Sequence, residues 1–196
     1  MTIEYEAPDG ATPLNPEELE QLIPLHITSM AELNAAEQMN IVQADMWAFS
    51  RNRKGLLEIK YAQALHKRMF GDVWLWAGRF RQRNVNIGDV DAYAVPTRLH
   101  QLFGDVQHWL ENNTYPPDEV AVRFHREITW IHPFVNGNGR HARLMTDLIL
   151  KKMGSQRFSW GGGDLVNAGK LRSDYLEALR AADDLDFQPL LDFCRF

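Results

Sequence analysis

The chain has 196 residues, of which 45% are hydrophobic and 24% charged, and its formal net charge is −5. That length gives one domain with a sizeable core, and the acidic balance offers no broad basic field for direct contact with nucleic acid. The single cysteine, Cys194, excludes an internal disulfide and a multi-cysteine metal site.

No apolar run is long enough to span a bilayer, and the opening MTIEYEAPDG lacks the basic and apolar segments of a secretory leader. The expected location is therefore cytoplasmic, with no membrane partner. Residues 1–14 are polar and carry Pro8, Gly10 and Pro13, which reads as an extended arm. A short helix follows, with Asn15 as cap, Pro16 at its first position and Pro24 as its stop. A long helix starts near Ser29, where Ser29 and Glu32 have capping-box spacing. Its stripe Met30, Leu33, Glu37, Asn40, Ala44 and Trp47 is only partly apolar. Leu56 to Phe70 is the next helix, with Gly71 after it.

The stretch GDVWLWAGRFRQRNVNIGDVDAYAVP is the one region without helical periodicity. Its alternation and the Gly88-Asp89 pair predict a small β-hairpin over Asn84–Val95. Arg79, Arg81 and Arg83 would share one face of such a strand and read as a solvated edge. Trp74 and Trp76 are expected to support the core. Leu99, Leu102, Val106 and Trp109 mark a helix; another runs from Pro117 to His132-Pro133, and a third from about Gly139 to Met153. His66 and His125 lie on helices without metal-ligand spacing and read as structural. Gly161–Gly163 forms a connector, Asp164 is placed to cap the helix bearing Leu171, Tyr175 and Leu179, and DFQPLLDF closes the chain. The fold class is all-α with one small hairpin.

Chemistry concentrates in IHPFVNGNGRHARL, residues 131–144. Pro133 disfavours helical dihedrals at His132, which places an imidazole at a helix-loop junction, and histidine suits proton transfer near neutral pH. Gly137 and Gly139 permit a turn whose amides face an anion at a helix start. Arg140 and Arg143 lie three apart at that same start. Two cations are unfavourable there by a few tenths to ~1 kcal/mol each, and a bound phosphate between them reverses the sign. These residues predict a phosphate-binding loop beside a base, hence phosphoryl or nucleotidyl transfer.

HPFVNGNGRHAR resembles the motif H-P-F-x-(D/E)-G-N-G-R-x-x-R of the Fic (Fic/Doc) family at every fixed position except the acid. LHKRMFGDVWLWAGRFR and DYLEALRAAD resemble flanking parts of the same family, and the similarity spans roughly Leu56 to Leu191. More narrowly, the Asn variant and PDGATPL resemble the mobile mystery protein B subgroup, encoded on mobile elements beside a small helix-turn-helix partner. The resemblance implies a Fic-type helical bundle with residues 55–196 as catalytic core, and residues 1–54 as an arm and helices packed on it. It implies transfer of AMP from ATP to a Ser, Thr or Tyr hydroxyl of a target protein, in a toxin-like or mobile-element setting with an antitoxin-like partner. His132 would be the catalytic base. Gly137, Asn138 and Gly139 would line the anion hole, and Arg140 and Arg143 would hold the phosphates. Asn84, Val85, Asn86, Ile87, Gly88 and Asp89 would belong to a flap that docks the target by strand addition. Asn136, also expected among the nucleotide-binding residues, replaces the acid that holds Mg²⁺ in the family, so it is a metal candidate without charge and Mg²⁺ is expected as a weakly held cofactor. That departure leaves two alternatives open: phosphate transfer, or a catalytically weak nucleotide- or partner-binding module. In many relatives a helix inhibits through (S/T)-x-x-x-E-(G/N); Thr28 to Leu33 and Ser173 to Ala178 each miss that pattern at the last position. Glu32 therefore reads as a cap and Glu177 as solvated.

Overall fold

A computed structural model describes residues 12–50, 54–85, 87–165 and 169–196. Among the described residues there are eight α-helices: α1 Pro16–Leu19, α2 Met30–Phe49, α3 Ile59–Phe70, α4 Val95–Asn112, α5 Pro117–Ile131, α6 Asn138–Lys152, α7 Lys170–Asp183 and α8 Gln188–Arg195. Local chemistry sets several boundaries. Asn15 and Glu18 close a capping box on α1, and Ser29 and Glu32 close another on α2. Pro133 bars a further helical turn, so α5 ends with His132 in the left-handed region at φ 49°. Gly169, not Asp164, is the N-cap of α7, and it offers no side-chain cap.

Helix α6 is central. It packs on α5 and α3 and touches α2, and ten of its residues are buried, including Leu144, Met145, Leu148 and Ile149. One core joins α2 to α6, with Leu33, Leu65, Phe70, Trp74, Leu99 and Phe124 inside it. A second lies between α5, the end of α6, α7 and α8, around Phe158, Tyr175, Leu190 and Cys194. The α2 stripe buries Leu33, Glu37, Asn40, Ala44 and Ala48. Its carboxylate is satisfied inside: Trp74 Nε1 donates to Glu37 at 2.6 Å.

The expected hairpin is not found among the described residues. Among the described residues of 84–95 there is no strand, and the chain enters a 3-10 turn at Ala92–Ala94. The groups a ladder would use are otherwise engaged. Asn84 donates to Asp91 at 2.5 Å and accepts from Ala92 N–H at 2.8 Å, and the Val90 carbonyl accepts from Arg81. Gly88, at φ +66°, lies against the Trp130 carbonyl, where a Cβ would come within 1.9 Å. Asn86 lies outside the described residues. The backbone pairing that does occur is isolated, at Leu22 with Trp74 and at Phe80 with Phe134.

Candidate active site

The 132–143 segment joins α5 to α6, and most of its side chains hold one another. Asn138 is buried and clamps the loop: it accepts from Phe134 N–H at 2.8 Å and donates to the Phe134 carbonyl at 2.9 Å. Its amide is thereby spent, which leaves its backbone N–H for a ligand. His66 takes Gly78 N–H on Nδ1 at 2.9 Å, so its Nε2 carries the proton and donates to the Asn136 carbonyl at 3.0 Å. Its ring stacks on Phe134 at 3.8 Å, and burial holds its pKa well below the ordinary value. Gly137 has φ +76°, and a Cβ there would meet the Phe70 ring at 2.5 Å, so the turn requires glycine on both counts. At Gly139 the closest atom to an added Cβ is Arg143 at 3.6 Å; that glycine keeps the helix start open. Residues 138–140 are the first three of α6, so their N–H groups have no partner within the helix.

His132 is buried, at 7% exposure. Its Nδ1 faces the Thr129 carbonyl at 3.2 Å, and a carbonyl can only accept, so Nδ1 bears the proton and Nε2 is the basic nitrogen. Burial pulls its pKa down to about 4. The Nε2 is met by the Thr12 hydroxyl at 2.7 Å, and Asn136 Nδ2 donates to the Thr12 carbonyl at 3.0 Å.

Arg140 and Arg143 line a cleft of roughly 640 Å³ together with Asn34 and Gln38 of α2 and Trp160 and Leu165 of the connector. That volume suits a nucleotide-sized ligand. Arg140 donates to Glu37 at 2.5 Å and lies 4.8 Å from the Phe70 ring. Arg143 is held by Tyr175, which lowers the cost of its burial. Tyr175 meets His125 Nε2 at 2.8 Å, and His125 Nδ1 meets Thr146 at 3.2 Å. His125, which burial brings down to about 3, is thus a neutral link that positions an arginine.

The fold therefore gathers Arg140 and Arg143 in the cleft and joins His132 and Asn136 through Thr12, with Gly137, Asn138 and Gly139 forming the turn between the two groups and not part of the cleft lining. Of the expected flap residues, Gly88 packs against the last turn of α5, beside this site. Four contributions were not visible in sequence. Arg81 is a buried anchor rather than a solvated edge: at 1% exposure it donates to the carbonyls of His132 and Arg83, each at 2.8 Å, and to that of Val90. Strand alternation hid this, because it predicts a face and not what covers it. Thr12 and Glu37 reach the site from the N-terminal region, and Tyr175 from α7. Glu32 caps α2, and Glu177 is exposed on α7.

The residues present do not fit a protein-held Mg²⁺. Asn136 Oδ1 accepts from Gly137 N–H at 2.6 Å, it carries no charge, and the described residues contain no cluster of three or more His, Cys, Asp or Glu that could hold a metal. No helix is long and apolar enough to cross a membrane among the described residues.

Residues 56–150 match the model of the Fic/DOC family. The protein adenylyltransferase Fic of Drosophila mojavensis is 30% identical over 145 residues, which is 72% of this chain and 27% of that protein. That of Nematostella vectensis is 31% identical over 133 residues, 66% and 29%. The chain thus spans about a quarter of the length of these relatives. Among solved structures, a Fic-1 fragment from C. elegans superposes with a TM-score of 0.65 at 24% identity, over 91% of this chain and 52% of that one. BepC of Bartonella tribocorum with bound AMPPNP gives 0.66 at 15% identity, over 92% and 97%. These structural likenesses establish the helical fold.

Proposed function

Residues 56–150 form a domain of the Fic/DOC family, and from that premise we propose that the chain transfers AMP from ATP to a hydroxyl of a protein. The observation that carries the proposal is the tautomer of His132: the Thr129 carbonyl fixes Nδ1–H, so the lone pair of Nε2 faces a hydroxyl at 2.7 Å, one loop away from the amides and arginines at the start of α6. In this reading the triphosphate lies along the cleft on Arg140, Arg143 and the first N–H groups of α6. His132 Nε2 takes the proton of the attacking hydroxyl. Bound phosphates favour the imidazolium, and so raise the basicity that burial lowers. Tyr175 and Arg81 position Arg143 and His132 without touching substrate. Segment 84–89 would receive the target, and ATP, whose analogue AMPPNP is bound in the BepC structure, is the expected co-substrate. A helix-turn-helix or antitoxin-like partner would belong to the narrower mobile-element reading.

Incubation with α-labelled and γ-labelled ATP plus bacterial lysate tests the proposal. Label from the α position, lost about 10²–10⁴-fold in His132→Ala and weakened in Arg140→Ala, is the expected result. Label from γ alone would replace AMP transfer with phosphorylation. Equal nucleotide affinity in wild type and Arg140→Ala would remove the site from the 136–143 loop.

A further inference from the structure

We propose that Thr12 is an acceptor: the chain carries its own modification site, docked on its own base. The proposal rests on the AMP-transfer reading of the same site. The hydroxyl of Thr12 donates to His132 Nε2 at 2.7 Å, a direction forced by the proton on Nδ1. Thr12 is 2% exposed, so this is a seated group and not a surface encounter. The following residues are held largely through backbone carbonyls, as an incoming target segment would be. Asn136 Nδ2 donates to the Thr12 carbonyl at 3.0 Å, Arg83 donates to the Pro13 carbonyl at 2.6 Å, and Arg83 also pairs with Glu18 at 2.9 Å. The capping box at Asn15 then fixes the start of α1. The residue that holds Thr12, Asn136, immediately precedes the turn into α6. A phosphate on that helix start would therefore lie beside the residue that holds the acceptor, whose oxygen is already bonded to the base.

The chemistry balances with ATP as co-reactant. Thr12 Oγ1 attacks the α-phosphorus, His132 Nε2 accepts the hydroxyl proton, a Thr12 O–P bond forms, and the bond to the β-phosphate oxygen breaks with its electron pair leaving on pyrophosphate. The product is a Thr12 phosphodiester of AMP. Its bulk no longer fits between His132 and the loop, so modification releases the segment and exposes Nε2 to other hydroxyls. The acceptor class this implies is a threonine or serine directly before proline, as in Thr12-Pro13.

Full-length wild type, Thr12→Val and Thr12→Ser are incubated with α-labelled ATP, with and without lysate, and the modified position is mapped by peptide mass spectrometry. Expected is one AMP per chain on residue 12 in wild type and Thr12→Ser, background label in Thr12→Val, and a self-labelling rate that does not change with protein concentration. Thr12→Val nearly conserves shape, and its folding is checked by circular dichroism. Because the contacts to the Thr12 and Pro13 carbonyls persist in it while no acceptor remains, it should stay docked and label lysate proteins more slowly than wild type, without the acceleration that follows self-modification. Lysate labelling by wild type with residue 12 unmodified overturns the inference and leaves AMP transfer standing. Self-labelling proportional to protein concentration overturns the docking in cis. Absence of α-label on every acceptor overturns AMP transfer, and this inference with it.

Discussion

Replacing Glu37 by Gln should tighten ATP binding while loosening the fold. Glu37 is the carboxylate that Arg140 meets at 2.5 Å, with side-chain exposures of 6% for the acid and 17% for the arginine. A triphosphate on Arg140 must displace or share this contact. A charge-assisted hydrogen bond contributes about 1.5–3 kcal/mol net, and ~1.4 kcal/mol is tenfold in affinity. Release of Arg140 should therefore lower the ATP dissociation constant roughly 10- to 100-fold. The stability change has the opposite sign. Removing one partner of a buried pair costs about 3–5 kcal/mol. The cost here is smaller, because Arg140 borders the cleft and Gln still accepts from Trp74; about 1–3 kcal/mol is expected. At ~2–4 °C per kcal/mol for a domain of this size, Tm falls by up to about 10 °C. Titration calorimetry with ATP measures the first quantity and scanning calorimetry the second. Glu32→Gln is the control, since Glu32 serves only the cap of α2 and should leave ATP affinity unchanged. A folded Glu37→Gln protein that binds ATP no better than wild type refutes the competition.

Arg81→Ala should lower Tm by several degrees and impair transfer, because it strands the carbonyls of His132, Arg83 and Val90 at ~1–3 kcal/mol for each one water does not reach; unchanged Tm and rate would refute the anchoring role. Acid should destabilise the fold through His66, His125, His132 and His141, which burial keeps neutral. Their folded pKa values lie below the ordinary 6.5, about 4 for His132 and His141, so the unfolded chain binds more protons in between; stability is full above about pH 6.5 and is lost as pH falls towards 4, and a flat Tm from pH 7 to 4.5 would contradict this. Asn136→Asp sets a carboxylate against the Thr12 carbonyl, which Asn136 now donates to, and adds the charge a Mg²⁺ site lacks. ATP affinity should rise in a Mg²⁺ titration and drop below wild type in excess chelator; no Mg²⁺-dependent gain in affinity or rate would show that the missing acid is not limiting.

What was legible in the sequence was what is local along the chain. Capping boxes at Asn15 and Ser29 act over three residues, Pro133 acts on its neighbour, and the loop that gathers His132, Gly137, Arg140 and Arg143 is one contiguous stretch. The hairpin failed because alternation cannot report that Arg81 and Asn84 consume the groups a ladder needs. Asp164 failed as a cap because the α7 start lies five residues further on, at Gly169. The deeper omissions are contacts at long range: Thr12 to His132 across 120 residues and Glu37 to Arg140 across 103. Both are made by ordinary residue types whose local explanation, a polar arm and a partly apolar helix stripe, is sufficient until the partner is seen. Both also engage the two groups that the chemistry needs uncovered, the base nitrogen and a phosphate-binding guanidinium. On the proposed reading, a contiguous motif supplies the base and the phosphate contacts, while residues far outside it govern when that base and that cation are available. This is why substitutions at Thr12 and Glu37 should change activity without altering any residue of the loop.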